Sequence, residues 1–213
     1  MKEYTISISP RILELLGPNL YTNIYYVLAE LIANAYDADA RNVYIISNSD
    51  DIRVEDDGHG MSYSNGDIKR FLDVAKVSRS SEADSLTMSG SRRKMGRKGV
   101  GKLAALSVSE NVAILTSRNN EKSGFILSRH PNDDKKLDPI PDDKIRFDKI
   151  SGDGTAVVMR NPQYRLHKTL AAVKRNLLKI FPLVNNDFRI HIIRGKEEVI
   201  LDSYDENIAT ELS

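Results

Sequence analysis

The stretch Tyr21–Ala38 constrains this chain most. Tyr21, Ile24, Tyr25, Leu28, Leu31, Ile32 and Ala35 recur at helical spacing and make a wide apolar stripe. A helix of this kind must bury its stripe against a second layer of structure. The same helix carries Glu30, Asn34 and Asp37 at i, i+4 and i+7, on one face. A carboxylate beside large apolar residues is at least partly buried, and burial is costly unless something pairs with it. Two readings stay open at this point. The polar face is simply solvated or capped, or it is the wall of a site. In the second reading Glu30 handles a water, and Asn34 offers its carbonyl oxygen to a hard cation.

The rest of the chain supplies the layer that the helix needs. Tyr4–Ser9 alternates like a strand, and Pro10 opens a short helix over Arg11–Leu16. "NVYIIS" and "DIRVED", separated by "NSD", predict a hairpin. Asp67–Lys76 and Val100–Ser109 predict helices. Ser78–Lys98 has few large apolar residues and predicts a mobile loop. "NVAILTSR" and "SGFILSR" predict paired strands, and His130–Lys144 a polar surface excursion. "GTAVVMR" predicts a buried strand, Tyr164–Phe181 an amphipathic helix, and "DFRIHIIRG" and "EEVILDS" the last strands. Strands joined mainly by hairpins and interleaved with helices predict an α+β fold: a two-layer sandwich of helices over a mixed, mostly antiparallel sheet. With no clean linker, residues 1–213 read as a single domain.

Two further stretches carry polar chemistry. "VEDDGHGM", Val54–Met61, puts carboxylates at the end of a strand and follows them with Gly58 and Gly60. An acidic turn accounts for this spacing. So does a carboxylate, Asp56, at a cleft mouth. There it would accept a hydrogen bond from an exocyclic amine, while the glycines admit a flat ring and Met61 packs on it. "MGRKGVGKLA" resembles a Walker phosphate loop, with Gly96, Gly101 and Lys102 in place. Leu103 occupies the position that needs Ser or Thr, and the residues before the loop are too polar for a central strand. What remains is Gly96-x-x-Gly99-x-Gly101 ahead of a helical stretch. That suits a phosphate cradle, and equally a flexible loop.

In this order and spacing, "ELIANAYDA", "DDGHGM", "GRKGVGKLA" and "GDGTAVV" resemble the four motifs of the GHKL ATPases: gyrase, the ninety-kilodalton heat-shock chaperone, histidine kinases and MutL. The resemblance covers roughly Ile24–Met159 and is nearest to MORC-like and related prokaryotic members. It implies the Bergerat-type ATP-binding fold, with ATP and Mg²⁺ as ligands. Glu30 is then the general base, and Asn34 the Mg²⁺ ligand. Asp37 belongs to the same motif. Asp56 receives the adenine amino group, with Thr155 nearby through water, and Gly58, Gly60 and Met61 shape the adenine pocket. Gly96, Lys98, Gly99, Val100, Gly101 and Lys102 line the phosphates, and Lys76 reaches toward them. Ser78–Lys98 becomes the ATP lid.

The resemblance also implies slow ATP hydrolysis that drives dimerisation of two copies; an ATP-sensing module without turnover and a chaperone-type ATPase are the alternatives. Gyrase and MutL supply a lysine from a second domain. The chain has no room for one, so a longer protein is expected, working in DNA transactions or defence. Lys+Arg (31) nearly balance Asp+Glu (30), so overall charge selects no polyanionic partner. Arg92, Arg93, Lys94, Arg97, Lys98 and Lys102 put six cations within eleven residues at the phosphate loop, where they attract a triphosphate, form a solvated loop or contact DNA. Arg165, Lys168, Lys174, Arg175 and Lys179 on the last helix make a solvated face or a DNA or protein surface. The four histidines lack metal-ligand spacing, and the absence of cysteine excludes disulfides and thiolate zinc sites. Nothing resembles a signal peptide or a membrane span, so a cytoplasmic location is expected.

Overall fold

The computed structural model describes residues 2–7, 21–73, 86–95, 101–130, 134–181, 185 and 187–203. The expected helix over Arg11–Leu16 lies outside them. Asn23 accepts the N–H of Tyr25 at 2.9 Å and so caps helix α1, Ile24–Asp37, which therefore starts three residues later than its apolar stripe. Ile24, Tyr25, Val27, Leu28, Leu31, Ile32 and Ala35 are buried along it.

Among the described residues nine strands form one sheet. They are β1 (Tyr4–Thr5), β2 (Asn42–Ser47), β3 (Asp51–Asp56), β4 (Asn111–Arg118), β5 (Glu121–Ser128), β6 (Lys136–Pro139), β7 (Gly154–Arg160), β8 (Arg189–Arg194) and β9 (Glu197–Leu201). The order across the sheet is β1-β6-β5-β4-β7-β3-β2-β8-β9, and every pairing is antiparallel except β2 with β8. The mixed, mostly antiparallel sheet and the hairpins β2–β3 and β4–β5 agree with the sequence.

Helix α1, the 3₁₀ helix Gly101–Ser107 and helix α3, Leu170–Ile180, pack together and share the main core with the sheet. Alternation then divides each central strand between two faces. In β4, Val112 and Ile114 join the helix-side core, whereas Leu115 meets Ala156 and Ile145 on the other side. Ile140 and Phe147 cover that second cluster. Glu55 also points away from the helices. It is fully buried and binds Arg53 at 2.5 Å and the N–H groups of Asp148 and Lys149 at 2.7 and 2.8 Å.

Several expected elements are shorter. The first strand closes at Thr5, and helix α2 runs Asp67–Leu72. Thr169 caps α3 five residues inside its expected start, and the helix expected over Val100–Ser109 is the 3₁₀ helix Gly101–Ser107. The polar excursion His130–Lys144 needs correction. Within it β6 pairs with β1 and β5, because Leu137 is buried opposite Tyr4. One apolar residue in four is too sparse to show periodicity. No helix among the described residues is long and apolar enough to cross a membrane.

Candidate functional site

Between α1 and the sheet lies a cavity of about 750 Å³. The sheet supplies its floor from the helix-side residues of three adjacent strands: Val54 and Asp56 of β3, Val157 and Thr155 of β7, and Ile114 of β4. Register makes a polar row there, since Asp56 pairs with Thr155 and Thr155 with Thr116. Thr116 is fully buried. Its hydroxyl oxygen accepts the N–H of Met61 at 2.8 Å and lies 3.1 Å from the Gly154 carbonyl, to which it donates. A strand-internal Thr in "NVAILTSR" carried no signal of this role, which depends on cross-strand register.

The acidic pair after β3 separates into two functions. Asp57 turns away and structures the neighbouring strand. Its Oδ1 accepts the N–H groups of Arg41 and Asn42 at 2.7 Å each, and its Oδ2 accepts the Asn42 amide at 2.7 Å. Asp56 lines the cavity. Burial pushes its carboxyl up to about 7, and the nearby carboxylates of Asp57 and Glu55 add to this. The N–H of Gly58, 3.0 Å from Oδ1, pulls the other way. A group poised this way suits a site that supplies a hydrogen-bond donor on binding.

The glycines of the motif are steric requirements. Gly60 has φ +60°, and a Cβ there would lie 2.0 Å from the Ser117 carbonyl oxygen. Gly58 packs against Ala38, behind Asp56, and Met61 and His59 line the cavity beside Gly60. In the sequence His59 counts only among four histidines that lack metal-ligand spacing, and its place in the cavity is not legible there. Its Nδ1 lies 2.7 Å from the Gly60 carbonyl. No group of three or more metal-ligating side chains occurs among the described residues.

The helix contributes the opposite wall. Glu30, Asn34 and Asp37 all line the cavity, so the shared face is a site wall. Asn34 is exposed into this space. Gly101, at the start of the 3₁₀ helix, sits against Glu30: a Cβ on it would lie 2.2 Å from Glu30 Oε2. Leu103, which breaks the Walker pattern, is buried in the core at the base of that turn. Tyr21 and Tyr26 also line the cavity. Burial, followed by the Glu30 carboxylate that the Tyr21 hydroxyl meets, pushes that hydroxyl up to about 12.

Of the expected loop Ser78–Lys98 only residues 86–95 are among those described, and there the chain is structured. This segment is a turn closed by a bridge between Leu86 and Arg93, and the end of α1 fastens it. Asp37 accepts the Met95 N–H at 2.7 Å, and Asp39 accepts both the N–H and the hydroxyl of Ser89 at 2.7 Å. Arg92, expected among the phosphate-attracting cations, is instead a structural clasp. Its guanidinium lies over Tyr36 (4.7 Å) and Phe188 (5.5 Å) and donates to the carbonyls of Ala40 and Asp187 at 2.6 and 2.9 Å. Lys76, Gly96, Lys98, Gly99 and Val100 lie outside the described residues. So does the side chain of Lys102, whose backbone belongs to the 3₁₀ helix.

With this geometry in hand, comparison with known proteins is decisive. The model of the histidine kinase-, DNA gyrase B- and HSP90-like ATPases matches residues 21–155. This chain belongs to that family. The matched span contains α1, the hairpin with Asp56, the 3₁₀ helix and the start of β7, which line most of the cavity; Val157, Ile180 and Phe181 lie beyond it. Among curated proteins, the ATPase-family chain is 29% identical over 198 residues to HgiDII of Herpetosiphon aurantiacus, a candidate type II restriction enzyme. The alignment takes in 89% of this chain and 31% of the relative, so the chain spans about a third of that protein's length.

Proposed function

We propose that the cavity binds ATP with Mg²⁺ and hydrolyses it slowly. The observation that carries this reading is the convergence of Glu30, Asn34, Asp56, Gly101 and Thr155 on one cavity, in a family of ATPases. Asp56 accepts the adenine amino group, with Thr155 beside it through water. Gly58, Gly60 and Met61 leave a slot for the flat ring. Gly101 and the backbone after it face the phosphates, joined by Gly96, Lys98, Gly99, Val100 and Lys102 of the same motif and by Lys76. Asp37 acts at one remove, holding the segment that ends at Met95. Glu30 takes the proton of the water that attacks the γ-phosphorus, as the bond to the bridging oxygen breaks.

The donor set suits Mg²⁺. Asn34 presents one hard oxygen ligand to the cavity, and this ion commonly takes few protein ligands and completes its shell with phosphates and water. When bound, the ion neutralises phosphate charge. Nucleotide choice tests the adenine assignment. Above about pH 8, where Asp56 is ionised, guanine would present its carbonyl oxygen to a carboxylate, leaving two acceptors face to face. GTP should therefore displace labelled ATP at least about 100-fold less well than ADP does. Equal displacement by the two would remove Asp56 from base recognition.

The MORC-like resemblance and the restriction-enzyme relative favour an ATP-driven switch in a DNA-transaction or defence protein, with two copies associating when ATP is bound. A non-hydrolysable ATP analogue should then double the mass in solution, and an unchanged mass at high concentration would contradict it. DNA is the partner best matched to α3, where Arg175 and Lys179 are exposed one turn apart and Arg165 and Lys168 precede them, all exposed.

A further inference from the structure

Glu30 lies on the second turn of α1, and a general base there needs its carboxylate aimed at one water. Helical placement fixes its Cα but leaves three side-chain torsions free. Two neighbours restrict them. Gly101 brings its bare Cα against Oε2, with no room for a methyl group between them. Tyr21 stands outside the helix, two residues before the Asn23 cap. Its ring packs on the edge of the core, it lines the same cavity as Glu30, and its hydroxyl neighbours that carboxylate. Among the described residues no cation forms an ion pair with Glu30, and the Tyr21 hydroxyl is the donor beside it in the cavity. Resting on the ATPase reading above, we infer that Tyr21 is a positioning residue that orients the Glu30 carboxylate toward the attacking water. A hydroxyl donor committed to one carboxylate oxygen leaves the other to receive the proton from that water. Burial, and after it the Glu30 carboxylate, raises the Tyr21 hydroxyl to about 12, which keeps it a protonated donor.

The test is steady-state ATP hydrolysis by the wild type, Tyr21→Phe and Glu30→Gln, with ATP affinity and melting temperature measured on each. Phe keeps the ring and loses only the hydroxyl. Tyr21→Phe should lower kcat roughly tenfold while ATP affinity stays within about twofold. A merely structural Tyr21 would shift melting temperature and affinity together, without singling out kcat. Wild-type kcat in Tyr21→Phe overturns the inference while the ATPase reading stands. So does weaker ATP binding at unchanged kcat, which would make Tyr21 a binding group. If the wild type binds ATP but shows no turnover that Glu30→Gln removes, the ATPase reading fails first and takes the inference with it.

Discussion

Asp56→Asn should make the nucleotide-free protein more stable and the nucleotide complex weaker. Asp56 is ionised only against the cost of burial, which lifts its carboxyl from 3.8 to about 7. The unfolded chain has no such cost. Between about pH 4 and pH 7 the folded protein therefore holds a proton that the unfolded chain has released, and stability falls as pH rises through that window. Above it the loss is complete, up to about 4 kcal/mol. Asparagine never ionises, so the variant should lack this slope and melt several degrees higher near neutral pH. Gly58 can still donate to its side-chain oxygen. Binding should move the other way. A hydrogen bond to a charged group is worth about 1.5–3 kcal/mol, so ATP and ADP affinity should drop about 10- to 150-fold. For the wild type, affinity should rise with pH through about 7 as the acceptor ionises. Thermal denaturation across pH with and without nucleotide checks all of this. A variant less stable than the wild type, or one with unchanged affinity, would make Asp56 structural.

Glu30→Gln should separate binding from chemistry. Glutamine keeps the length and one oxygen against Gly101 but cannot take a proton. Turnover should fall by about 100-fold or more, the range of a lost general base. ATP affinity should stay within about threefold, because adenine recognition lies across the cavity at Asp56. Phosphate release over many turnovers distinguishes the outcomes. Retained turnover would mean that water is activated elsewhere.

Legibility in the sequence followed the range of the interactions involved. Helix α1 and its polar face could be read because one helical period fixes both the buried stripe and the alignment of Glu30, Asn34 and Asp37. Asp56, Gly58 and Gly60 could be read because a strand end and a tight turn are local. Thr116 could not, because its place beside Thr155 exists only once β4 and β7 are in register. Nor could the structural role of Asp57, which is settled by the N–H groups of Arg41 and Asn42. Arg92 read as a phosphate-seeking cation from its basic neighbours. Tyr36 and Phe188, distant in sequence, decide otherwise. Tyr21 counted only as part of the apolar stripe, and its hydroxyl gained meaning from Glu30, nine residues on.

The account's central claim is that this cavity is an adenine nucleotide site. Calorimetric titration of ATP with Mg²⁺ into the chain tests it most directly. Saturable binding of one ATP per chain, competed by ADP and weakened in Asp56→Asn, is the predicted result. An absence of binding heat for ATP and ADP across temperature, with wild-type folding intact, would contradict it.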